Sequence, residues 1–145
     1  MKRVPELRDL SDDHHQGLVL ARKAKKAAAQ EPGFSATEVW ADAEQRFISE
    51  LEPHFKIEEM FLATALETQG ETQLARRLYD EHKVLRDYFV PRASRTLDDL
   101  RSFGELLEKH IRFEERELFE VAQKVLSPDA LHAVEAACHA RPNEK

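Results

Sequence analysis

The 145 residues carry 28 acidic against 22 basic side chains, a net charge of −6, which argues against a nucleic-acid binder, because phosphate contacts need a surplus of cations. Only 4 glycines beside 34% charged residues point to soluble helices, since strand-rich folds spend glycine on turns and bulges. A single cysteine, Cys138, excludes an intrachain disulfide, a thiolate metal cage and a CxxC redox pair, and with no leader-like start and no window near the ~18 apolar residues of a membrane span, a cytoplasmic chain without membrane partners is expected.

The length predicts one domain over residues 1–145, with a bundle over about 11–126 and a short last helix over about 128–140. Ser11 before Asp12-Asp13 reads as the N-cap of a first helix over about 12–30, which stops at Glu31-Pro32-Gly33. Its run of Arg22, Lys23, Lys25 and Lys26 reads as a solvated face. Ser35 with Glu38 forms a capping-box pattern for a second helix that reaches about Thr68, with Gly70 as its stop. Pro53 inside it lacks a backbone donor and predicts a kink or a split. A third helix over about 71–89 ends before Pro91. Thr96 with Asp99 opens a fourth, to about Leu126, and Ser127-Pro128 caps the fifth, followed by a polar tail over 141–145. Four long helices with short connections predict an all-α, up-down-up-down four-helix bundle with a short C-terminal fifth helix.

The chain also repeats itself. Asp12-Asp13-His14 is echoed by Asp80-Glu81-His82, and "HFKIEE" from His54 to Glu59 by "HIRFEE" from His110 to Glu115. Two helix pairs, each with an acidic-His step and an HxxxEE step, would meet about one central point under a pseudo-two-fold axis.

Phase places these residues inside. The core face of a helix recurs every three or four residues. It reads Leu74, Leu78, His82, Leu85, Phe89 in the third helix, and Leu100, Phe103, Leu107, His110, Glu114, Leu118, Val121, Val125 in the fourth. The second gives Phe47, Leu51, His54, Glu58, Phe61 or Leu62, then Ala65; the first gives His14, Leu18, Ala21, then Ala24 or Ala28. Every stripe holds a histidine, and in two of them a glutamate follows four residues later. His15 lies on the flank of the first helix, so His14 is preferred there. Glu59 and Glu115 sit about 100° off the stripe, as solvent-facing or ligand-supporting groups. Asp13 and Glu81 read as solvated surface carboxylates in preference to acceptors for the ligands. His132, His139 and Cys138, in the last helix, read as structural or exposed.

A lone core histidine usually packs, and a lone HxxxE is weak. Two HxxxEE copies in core phase, with two more in-phase histidines, are a joint signal for metal. An ionised carboxylate buried without a partner costs several kcal/mol, and no Lys or Arg shares the stripes of the second, third and fourth helices. His and Glu at i and i+4 reach one centre. Four imidazoles and two carboxylates exceed one tetrahedral zinc and suit two metals with bridging carboxylates; mixed nitrogen and oxygen donors favour iron over magnesium or calcium.

The segments "LSDDHHQGL", "HFKIEEMFL", "DEHKVLRDYF" and "HIRFEERELF" make the chain, from about Leu10 to Leu126, resemble the hemerythrin-like, HHE cation-binding family. The resemblance implies a four-helix fold. It implies His14, His54, His82, His110, Glu58 and Glu114 as ligands of two iron ions, a non-haem di-iron centre that can be oxo- or hydroxo-bridged, and a small partner: dioxygen, peroxide or nitric oxide. Oxygen-carrying hemerythrins use a fifth histidine on the third helix, four residues from the other one. Here those positions are Leu78 and Arg86, which favours a reactive or sensing site over stable oxygen carriage. The functional expectation is therefore sensing or detoxification of such oxidants, with an iron-dependent, non-catalytic binding module as the alternative. The ferritin-like Glu-x-x-His signature is absent.

Overall fold

Helix ends follow local capping chemistry. In the computed structural model, which describes residues 2–91 and 93–141, five helices form: α1 (Pro5–Ala28), α2 (residues 36–68), α3 (Thr72–Asp87), α4 (residues 97–125) and α5 (Pro128–His139). Ser35 Oγ accepts from the Glu38 N–H, Ser127 Oγ from the Ala130 N–H, and Thr96 and Asp99 close a full capping box. Gly70, at φ 86°, takes the left-handed conformation that ends α2. No strand occurs among the described residues, and none of their helices is long and apolar enough to cross a membrane. Residues 142–145 of the expected polar tail lie outside the described residues.

The first boundary differs from the sequence reading. α1 starts at Pro5, well before Ser11, because proline at the first helical position has no donor to waste and Leu7 and Leu10 are buried there. Ser11 lies inside the helix, and its hydroxyl donates to Glu115 at 2.6 Å. Helix α2 runs through Pro53 without the split that was one of the two expected outcomes. A wide π-helical turn over Phe47–Leu51 precedes the proline, in which the Glu52 N–H reaches back to the Phe47 carbonyl.

Two further π turns begin at the inward glutamates, over Glu58–Ala63 in α2 and Glu114–Leu118 in α4. Each inserts one residue, so the buried stripe beyond it shifts by one. The core residues are Leu66 instead of Ala65, and Ala122 and Leu126 instead of Val121 and Val125. A constant 3.6-residue period cannot see this.

The apolar side chains gather into two plugs at opposite ends. One combines Leu7 and Leu10 of α1 with Leu62 and Leu66 of α2, Leu78 of α3 and Phe119 of α4, and Leu131 and Val134 of α5 close it. The other combines Leu20 and Ala24 of α1 with Trp40 of α2, Leu85 of α3 and Phe103 of α4. Early α1 and α3 thus meet late α2 and α4, as an up-down-up-down path requires. α1 and α4 approach closely: a Cβ on Gly104 would lie 2.8 Å from the Ala21 carbonyl oxygen, and one on Gly17 would lie 2.7 Å from Ile111 Cδ1. Gly17 therefore faces inward and Leu18 is 37% exposed, against the stripe expected for α1.

Candidate metal centre

Between the two plugs lies a layer of buried polar groups. His14 comes from α1, His54 and Glu58 from α2, His82 from α3, and His110 and Glu114 from α4; all six are buried, and both glutamates are 0% exposed. His15, one residue from His14, is exposed. The i, i+4 spacing stacks each glutamate one turn beyond its histidine.

The Nε2 edges turn inward. His54 Nε2 lies 2.9 Å from Glu58 Oε2 and 3.7 Å from Glu114 Oε1; His82 Nε2 lies 3.1 Å from Glu58 Oε1 and 3.6 Å from Glu114 Oε2. His110 Nε2 approaches Glu114 Oε2 at 2.8 Å, and His14 Nε2 meets Glu114 Oε1 at 2.7 Å. Only the His14 contact has hydrogen-bond geometry. His54, His82 and His110 Nε2, both Glu58 oxygens and Glu114 Oε2 are buried without a hydrogen-bond partner. Such atoms are costly unless something else satisfies them. Their donors fall into two sets, His14, His54, Glu58, Glu114 and Glu58, His82, His110, Glu114, with ligand atoms within 4.8 Å of one another in each. The two glutamates belong to both.

The opposite edge of every ring is held by a carboxylate. Nδ1–H of His54 donates to Asp13 (2.9 Å), His82 to Glu59 (2.7 Å), His110 to Glu81 (2.6 Å) and His14 to Glu115 (2.6 Å). Each helix thus supplies the acceptor for the histidine of the next, in a ring closed from α4 back to α1, and the halves match under the pseudo-two-fold of the repeat. An arginine faces each acceptor: Arg141 at Asp13 (2.7 Å), Arg86 at Glu59 (2.7 Å), Arg77 at Glu81 (2.9 Å) and Arg3 at Glu115 (3.1 Å). Asp13 and Glu81 are therefore not merely solvated surface groups, as their phase suggested. Their side chains are long enough to cross to the neighbouring helix. The repeat carried the signal, in an acid placed beside each inward residue at 13–14, 58–59, 81–82 and 114–115.

A family model, the hemerythrin HHE cation binding domain, matches residues 6–122. The chain belongs to the hemerythrin HHE family. No curated protein and no solved structure matches it.

The hemerythrin HHE domain is a cation-binding helical module, and this His/Glu cluster is compatible with that role. Its electrostatics fit a cation. Burial alone would favour neutral imidazoles, but the surrounding carboxylates overcome it, raising His14 to about 9 and His82 to about 10, with His54 and His110 shifted upward as well. Burial likewise opposes the charge on Glu114, yet His110 and the other close partners hold its pKa well below the usual carboxylate range. Asp13, Glu59, Glu81 and Glu115 are also held low against burial, by their histidine and by Arg141, Arg86, Arg77, and Ser11 with Arg3 respectively. Arginines balance the outer carboxylates. Among the described residues none pairs with Glu58 or Glu114.

Of the two positions four residues from His82, Leu78 is fully buried in the apolar plug and Arg86 pairs with Glu52 and Glu59. Tyr79 donates from its hydroxyl to the Glu59 carbonyl, and Tyr88 packs edge-on against Phe103, so neither tyrosine replaces the extra histidine of oxygen-carrying hemerythrins. His132 and His139 are exposed and pair with Glu6 and Asp9, and burial pushes the Cys138 thiol up to about 11.

Proposed function

We propose that His14, His54, His82, His110, Glu58 and Glu114 hold two iron ions that share both glutamates, and that this centre binds or reacts with dioxygen, peroxide or nitric oxide in sensing or detoxification. The observation that carries the reading is the convergence of buried donor atoms lacking hydrogen-bond partners into two sets with two carboxylates in common. Four nitrogens and two carboxylates suit iron better than cations that want oxygen alone. Bound iron would supply redox and Lewis-acid chemistry.

The chain's own residues do the rest. Asp13, Glu59, Glu81 and Glu115 fix each ring with Nδ1 as donor, which makes Nε2 the nitrogen that would bind metal on losing its proton, and raises its basicity. Phe55, stacked on His82 at 3.9 Å between centroids, and Phe119, stacked on His14, keep water from the ring faces. Neither Leu78 nor Arg86, the residues four positions from His82, can supply a further imidazole, which would leave room at a bound ion for a small ligand. A cytoplasmic setting accords with the one free, buried thiol. Anaerobic iron loading followed by absorption spectra with dioxygen, hydrogen peroxide and nitric oxide in turn tests the proposal. New bands with at least one of them are expected. Spectra unchanged by all three, in protein that retains its iron, would refute it.

A further inference from the structure

A cavity of about 610 Å³ adjoins the centre, between α1, α2, α4 and the end of α5. His14, His54 and His110 form its inner wall. Leu20, Leu51, Phe55, Leu107 and Ile111 form its sides, and the exposed Asp12, Gln16 and His139 its rim. The α1 backbone reaches it at Gly17 without a side chain.

This space is far larger than a diatomic molecule or hydrogen peroxide needs. A water takes about 30 Å³ in the liquid, so such a ligand would leave most of the cavity to solvent against apolar walls. Pockets for small organic ligands run about 300–1,000 Å³, with apolar linings and a few placed polar groups. The charge on the walls narrows the class. Two lining carboxylates, Glu50 and Asp13, are paired with the two lining arginines, Arg46 (which Asp42 also engages) and Arg141, so these charges offset one another, and Asp12 stands at the exposed rim. Neither guanidinium is left to select an anionic head.

We infer that the cavity binds a neutral organic molecule with an apolar body and an O–H head, an alcohol or an organic hydroperoxide, with the head against the His14, His54 and His110 wall. As a substrate site it rests on the proposed metal centre; as a binding site it stands on its own walls.

Isothermal titration of the purified full chain, its metal content measured beforehand, tests this with 1-octanol, cumene hydroperoxide and octanoic acid. One neutral ligand per chain should bind, more tightly than octanoic acid. Binding of only one of the two neutral compounds supports the site and identifies its head. The filling variants Leu107→Trp and Leu51→Trp should weaken that binding by about tenfold or more. Should both variants misfold, magnetisation transfer from octanol methylenes to the Leu20, Leu107 and Ile111 methyls in the unmodified protein gives the same answer. Absence of neutral-ligand binding, tighter binding of octanoate, unchanged affinity in folded filling variants, or absence of that transfer would overturn the inference. Octanol binding to protein that cannot be loaded with metal would leave the cavity assignment standing and remove the metal reading; metal-loaded protein that binds neither neutral compound would do the reverse.

Discussion

Each imidazole of the centre turns Nε2 inward and has Nδ1 held by a carboxylate of the neighbouring helix, and the two edges predict different phenotypes. Removing an outer acceptor leaves all six inner donors in place but frees one ring to turn. Glu115→Ala should therefore weaken metal affinity by about 10–100-fold, and His14→Ala by more, as measured by competition with a chromophoric chelator. Equal affinity in Glu115→Ala and the unmodified protein would mean that the 2.6 Å contact to His14 does not orient the ring. The inner residues were legible in the sequence because a histidine or glutamate among leucines is out of place. The outer carboxylates were legible only in part: Glu59 and Glu115 read as solvent-facing or ligand-supporting, and Asp13 and Glu81 as solvated, because an acid on a helix flank looks solvated until the neighbouring helix is known. Of the four arginines behind them, Arg77 sits four residues before Glu81 on the same helix, whereas Arg3, Arg86 and Arg141 reach their acceptors from other parts of the chain.

The same residues set a pH dependence for the metal-free protein. Histidines raised above 6.5 contribute stability in full below that pH, and lose it as pH climbs through about 9 for His14 and about 10 for His82. Glu114, lowered from 4.5, contributes in full above 4.5 and loses that contribution on acidification. The apoprotein should be most stable between these limits and should melt at progressively lower temperature from pH 7 to pH 10. A melting temperature flat or rising over that range would contradict this. Metal must displace the imidazole protons, so binding should release protons and strengthen as pH rises.

Along each helix, one inserted residue matters more than any propensity. The π turns begin at Glu58 and Glu114, which the i, i+4 spacing already turns inward, and move the following apolar stripe one position on. Capping residues and glycine stops marked most helix ends in the sequence, because those signals are local. The early start of α1 was hidden because Ser11 looks like a cap, and its real partner, Glu115, is 104 residues away. Close packing of α1 on α4 was equally hidden, since it depends on a glycine opposite a backbone carbonyl. Gly104→Ala should cost about 1–3 kcal/mol through that clash, visible as a lower denaturant midpoint. A neutral or stabilising effect would mean that the helices can separate at little cost.

The whole molecule is two apolar plugs around a charged layer, and the layer is its weak plane. A ligand that binds the native state alone, present at 1,000 times its Kd, stabilises by about 4 kcal/mol. Iron loading should therefore raise the melting temperature by several degrees, and a chelator should reverse it. Identical melting with and without metal would separate the centre from the fold. The bundle and its antiparallel path were readable from stripe phase and short connections. The cavity was not, because it is bounded by residues of four helices whose spacing only the assembled structure sets.

The shared glutamates give the most direct test of the metal centre. Elemental analysis after anaerobic iron loading should find about two ions per chain in the unmodified protein, about one in His14→Ala, which damages one donor set, and less than about half an ion in Glu58→Ala, which damages both. Less than about half an ion in the unmodified protein, or equal retention in the two variants, would contradict the proposal that one pair of carboxylates serves two metal ions.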